Sequence, residues 1–176
     1  MLRKRSLAWL GAGAVLLCSA ALPSAAHGRG PRDEGTPSAD RNKALVRRWI
    51  EEGFNRRNLG LVDELFSERF VINGQAVGRA GLRASMGRHL AAFPDLHVTI
   101  DEMLAEGSKV GVWYTVEATH RGEFESIPAT GKAVRWVGFD LFTIEDGKIA
   151  EARFISDLLG LLRQIGATVA PPRPER

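Results

Sequence analysis

The stretch VGFDLFTIEDGKIAEARFISD, Val137 to Asp157, constrains the fold more than any other part of the chain. Asp146-Gly147 supplies the left-handed backbone that a two-residue hairpin turn needs, and β-branched and aromatic residues flank it on both sides. Such a loop puts Glu145 opposite Lys148 and thereby fixes every pair above it, because side chains alternate between faces. The ladder predicts Phe142 beside Glu151, Asp140 beside Arg153, Gly138 beside Ile155 and Trp136 beside Asp157, all on one face. The opposite face, with Val137, Phe139, Leu141, Ala152 and Phe154, is almost wholly apolar and suits a core or a subunit interface. Asp140 is thus a carboxylate set among apolar neighbours in mid-strand.

The rest of the chain supplies partners for this hairpin. Leu45, Val46, Trp49, Ile50 and Phe54 recur at helical spacing, with Ser38 or Asp40 as N-caps and Gly53 near the end. A short second helix carries Leu61, Val62, Leu65 and Phe66, a small strand FVIN follows, and GRAGLRASMGRHLAAF reads as a third helix that stops before Pro94. Strands are predicted over Leu96 to Leu104, Val110 to His120, Ala133 to Ile144 and Lys148 to Ser156. A closing helix, DLLGLLRQIG, aligns Leu158, Leu161, Leu162 and Ile165 on one side. Three helices, then an antiparallel sheet, then a last helix make an α+β domain.

The N terminus reads differently. Arg3, Lys4 and Arg5 precede an apolar run from Leu7 to Leu22 that ends in small residues, the pattern of a secretory signal peptide cut after Ala26. Residues 27–39, rich in Gly, Pro and charge, read as a disordered linker, residues 40–167 as the folded domain and 168–176 as a flexible tail. Removing 26 of the 176 residues takes away three cations and no acids, so the formal net charge falls from +3 to zero. A neutral chain without a Lys/Arg cluster offers no electrostatic case for nucleic acid. Cleavage also removes Cys18, the one cysteine, and with it any disulfide or thiolate chemistry. The expectation is an exported protein, periplasmic or secreted, without a stable membrane span.

Five stretches, RRWIEEGFNRRNLGLVDELFSERFV, AFPDLHVTIDEMLAEGSKVGV, ATHRGEFESIPATGK, GFDLFTIEDGKIAE and DLLGLLRQIG, occur in an order that resembles the SnoaL-like polyketide and ester cyclases. These belong to the superfamily named after nuclear transport factor 2. The resemblance spans Asn42 to Gly166 and implies a cone of curved antiparallel sheet wrapped by helices, open at one end to an apolar pocket. It also implies homodimers joined through the sheet. After GKI many members carry a Glu-His-Trp-Asp-like run, whereas this chain reads Glu151, Ala152, Arg153, Phe154. Asp140 and Asp157 match acidic positions common in the family.

A cyclase or isomerase of this kind needs a base to take a proton next to a carbonyl and a group to steady the enolate, with no cofactor and no metal. His27, His89, His97 and His120 are scattered, and no zinc-protease, nucleophile-elbow or phosphate-loop pattern occurs. The candidate catalytic residues are Asp140, His120, Arg153 and Asp157. Two readings of Asp140 compete: a structural ion pair in which Arg153 lowers its pKa, or a desolvated base with Arg153 turned to substrate. His120 sits where a strand runs into RGEFESIPATGK, which the resemblance puts by the pocket mouth; it is an acid/base group or a half-exposed strand-end histidine. Asp157 precedes the closing helix and doubles as an N-cap. Trp49, Phe54, Tyr114, Trp136 and Phe142 are candidates for the pocket wall, with only one of the adjacent Trp113 and Tyr114 able to point inward. The charges of RAGLRASMGRH read as a solvated helix face.

The expected function is cofactor-independent acid/base chemistry, an aldol-type cyclisation or an isomerisation, on a small apolar carbonyl compound. The alternative is a non-catalytic binding module for a small apolar molecule, since this fold serves both. Hydrolysis or dehydration in the same pocket has no motif behind it.

Overall fold

A computed structural model describes residues 37–168, which lie within the compact unit Asp33–Arg176. The signal peptide, most of the linker and nearly all of the tail expected from the sequence fall outside the described residues. Helix α1 (Pro37–Arg48) takes in the last three positions assigned to the linker. Pro37 suits the first helical position because its missing N–H would have no partner there. Ser38 and Asp40, the candidate caps, fall inside the helix, and Asp40 pairs with Lys43 at 3.0 Å.

From Trp49 to Asn55 the chain continues as a π-helical stretch. A side chain at Gly53 would collide with the Trp49 indole, so the glycine lets that ring lie against the backbone one turn on. Helix α2 (Leu61–Leu65) follows, then β1 (Phe66–Ile72), β2 (Gln75–Ala76) and α3 (Gly78–Ala92). Strand β1 is longer than FVIN and takes Phe66 from the expected second helix. Strands β3 (His97–Glu106), β4 (Lys109–Thr119), β5 (Ala133–Glu145) and β6 (Lys148–Ser156) then lead to α4 (Leu158–Ile165).

The six strands form one sheet in the order β2-β1-β6-β5-β4-β3. All pairs are antiparallel except β1 with β6, which run parallel, so the sheet is mixed at that junction. The sheet is curved and does not close. Its inner face, Val110, Val112 and Val116 on β4 with Val134, Trp136 and Phe142 on β5, packs against α1, the π-helical stretch and α3 around one apolar core.

The hairpin departs from the ladder predicted for it. Asp146 and Gly147 both have positive φ, 49° and 71°, and Glu145 pairs with Lys148 as expected. One rung further the register shifts: Ile144 pairs with Ile149 but Thr143 with Glu151, leaving Ala150 as the extra residue of a β-bulge. Every pair above moves by one. Asp140 lies opposite Phe154 and Arg153 opposite Leu141, so Ala152 and Phe154 share the face of Asp140 while Arg153 is turned to the other side.

Candidate active site

The inner face of β4 and β5 places Tyr114 directly across from Gly138. A Cβ at position 138 would stand 2.5 Å from the Tyr114 Cζ and hydroxyl, so the ring occupies space that any other residue would fill. Lying over Gly138, the phenol reaches the next inward position on β5, and its O–H donates to Asp140 Oδ1 at 3.0 Å. Of the adjacent pair, Tyr114 points inward and Trp113 outward, 46% exposed.

Asp140 is flanked across the ladder by Val112 and Phe154. Burial among such neighbours pushes its pKa from the ordinary carboxyl range up to about 7, against the Tyr114 hydrogen bond, which favours the charged form. The same surroundings raise the Tyr114 pKa: burial is the main cause, and the Asp140 charge with the bond donated to it adds to it. Tyr114 therefore stays protonated and is a fixed donor.

The pair opens on a cavity of about 200 Å³. Trp49 and Phe54 from the π-helical stretch, Phe66 and Phe70 from β1, and Trp136 and Phe142 from β5 supply aromatic rings to its wall. Trp49 meets Phe66 edge to face at 4.5 Å and Phe54 at 5.4 Å, and Phe66 meets Phe70 at 4.8 Å. Such edge-to-face contacts fix the rings relative to one another. The rim reaches solvent at His89, Phe154 and Leu158. All five aromatic residues expected to line a pocket, Trp49, Phe54, Tyr114, Trp136 and Phe142, do so.

The other candidate catalytic residues lie elsewhere. Arg153 is exposed and donates to Glu151 on its own strand at 2.7 Å, so it neither pairs with Asp140 nor enters the cavity. The bulge at Ala150 is the reason. Asp157 caps α4, accepting from the Gly160 N–H at 2.8 Å, and is not part of the cavity wall. His120 is 0% exposed rather than half-exposed, and stands outside the cavity wall. Its ring packs on Phe93 at 5.4 Å, which in turn backs Trp136 at 5.5 Å. Nδ1 meets Thr130 Oγ1 at 3.0 Å, while Nε2 is buried without a hydrogen-bond partner among the described residues.

His89, read from the sequence as part of a solvated helix face, lines the cavity rim. Its Nδ1 lies 3.0 Å from the Ser85 carbonyl oxygen, which can only accept, so Nδ1 is the donor in this contact. Leu82, Ser85, Met86 and His89 all touch the cavity, at positions i, i+3, i+4 and i+7 of α3. That spacing was the signal for His89. Among the described residues no group of three or more His, Cys, Asp and Glu gathers as a metal site, and no helix is long and apolar enough to cross a membrane.

Comparison with known proteins agrees with this architecture. The family model for the SnoaL-like polyketide cyclase matches residues 44–165. A protein from Jannaschia sp. CCS1, named for the SnoaL-like polyketide cyclases, is 27% identical, with a TM-score of 0.71 over 79% of this chain and 99% of its own. TsrD from Streptomyces laurentii is 30% identical, with a TM-score of 0.68 over 73% of this chain and 97% of its own. AclR from Streptomyces galilaeus, described as a candidate hydroxylase, is 30% identical at a TM-score of 0.67, over 73% and 98% of the two chains. No curated protein matches the chain. The family model, the shared sheet-and-helix architecture and relatives spanned almost end to end lead to one assignment: the chain belongs to the SnoaL-like polyketide cyclase family.

Proposed function

We propose that the protein carries out cofactor-independent acid/base chemistry on a small apolar carbonyl compound, an aldol-type cyclisation or an isomerisation, with Asp140 as the base. The observation that carries this reading is the Asp140 carboxyl in an apolar cavity, its pKa lifted to about 7 by burial, with no other carboxyl and no Lys or Arg among the described residues that line the cavity. A base with a pKa near the working pH combines an adequate ionised fraction with adequate basicity. Asp140 takes the proton from the carbon next to the carbonyl, and the C–H electron pair moves into the enolate. The protonated Asp140 and the Tyr114 hydroxyl are then the donors available to the enolate oxygen.

A second reading, a non-catalytic binding module, draws support from Arg153, Asp157 and His120, all of which stand away from the cavity. Deuterium exchange separates the two. With acetophenone in D₂O, the base reading expects protein-dependent exchange at the methyl carbon that rises through about pH 7 and falls by roughly 100-fold or more in Asp140→Asn. A binding module gives no exchange above buffer.

Two further expectations belong with this reading. The basic and apolar segment from Arg3 to Leu22 supports export with removal of the leader. The outer face of the sheet supports a homodimer: Trp113 and Phe139 pack with ring centroids 6.4 Å apart, beside Ile155, which is 71% exposed. Exposed apolar area of this kind on a sheet marks an association surface.

A further inference from the structure

Among the described residues no Lys or Arg lines the cavity, and the groups there able to exchange a proton are Asp140, Tyr114 and, at the rim, His89. Neighbouring arginines are engaged elsewhere: Arg48 with Glu64 and Glu52, Arg83 with Asp63, Arg153 with Glu151. Asp140 sits between Val112 and Phe154 on the ladder, with the Tyr114 hydroxyl as its hydrogen-bond donor. A ligand carboxylate brought against this wall meets a second carboxylate, with no Lys or Arg among the described lining residues to offset it, and each like charge disfavours the ionised form of the other. A ketone, aldehyde or ester carbonyl carries no such conflict.

Size narrows the class further. The cavity of about 200 Å³ lies just above the ~150 Å³ of an apolar protein cavity that takes up benzene, and below the ~300–1,000 Å³ of sites for drug-sized ligands. That volume accommodates one ring with a short substituent, with the rim at His89, Phe154 and Leu158 open to solvent.

Resting on the reading of this cavity as a ligand site, we infer that it selects uncharged carbonyl compounds of single-ring size and turns away their carboxylate analogues, with Asp140 setting the preference. Acetophenone and benzoate are matched in size and differ in charge, and benzylamine carries the opposite charge. Isothermal titration calorimetry at about pH 8.5, above the Asp140 pKa, should find benzoate at least about tenfold weaker than acetophenone. Lowering the pH to about 5.5 protonates Asp140 while benzoate stays ionised, and the gap should narrow. Asp140→Asn should narrow it at about pH 8.5 in the same way.

Equal affinity for acetophenone and benzoate at the higher pH overturns the inference. So does tighter binding of benzylamine than of acetophenone, which would make Asp140 the counter-ion of an amine site. Failure of all three probes to bind overturns the assigned size and class. The base reading stands or falls separately, on exchange in the Asp140→Asn variant.

Discussion

Tyr114 reaches Asp140 only because position 138 has no side chain, and this contact acts on a half-buried carboxyl in the cavity wall. Two effects oppose each other at Asp140, and burial outweighs the hydrogen bond, leaving the pKa at about 7. The sign of the consequence for stability follows from linkage. In the unfolded chain Asp140 loses its proton near pH 4, whereas in the folded protein it holds it to about pH 7. Its contribution is therefore fully present below about pH 4 and lost as pH rises through about 7. Urea unfolding of the wild type and Asp140→Asn should show the variant gaining stability relative to the wild type between about pH 4 and 8. At about 1.4 kcal/mol per pKa unit the gain is on the order of a few kcal/mol. A constant difference across that range would refute the buried, protonated state.

At the level of elements, the sequence made the hairpin, its turn and all four long strands legible, because alternation and Asp146-Gly147 are local signals. Register was not legible. The bulge at Ala150 has no residue signature of its own, and a single extra residue flips every side chain beyond it. That slip is why Arg153 left the site and why Ala152 and Phe154 entered the inner face. The π-helical stretch was also hidden, since Leu45, Val46, Trp49, Ile50 and Phe54 fit an ordinary helical stripe equally well; only the Gly53 collision exposes it. Asp157 shows the opposite case, a cap that Asp at a helix start announces. Its side chain accepts from Gly160, so Asp157→Ala should lower thermal stability by about 1 kcal/mol and leave acetophenone exchange within about twofold of wild type. A collapse of exchange with stability preserved would return Asp157 to the site.

For the whole molecule, the α+β class followed from the order of elements, and the curved sheet and its family from five stretches in sequence. The candidate site was legible in its aromatic wall and in Asp140. Its polar neighbours were legible only in part: Tyr114 was expected in the wall, but its bond to Asp140 depends on the bare backbone of Gly138, and His89, at helical spacing with Leu82, Ser85 and Met86, was read as part of a solvated face. The outer sheet face gives the assembly-level prediction. Replacing Trp113 and Ile155 by Glu and Lys should convert a dimer to a monomer in light scattering without altering the inner cavity, and a wild type that is already monomeric would refute the interface. The central claim is that Asp140 is a cavity carboxyl tuned to the neutral range by burial. A ¹³C titration of its carboxyl carbon, assigned by comparison with Asp140→Asn, tests that claim most directly. The account predicts a midpoint at about 7, moving higher in Tyr114→Phe. A midpoint near the ordinary value of about 4 would contradict it.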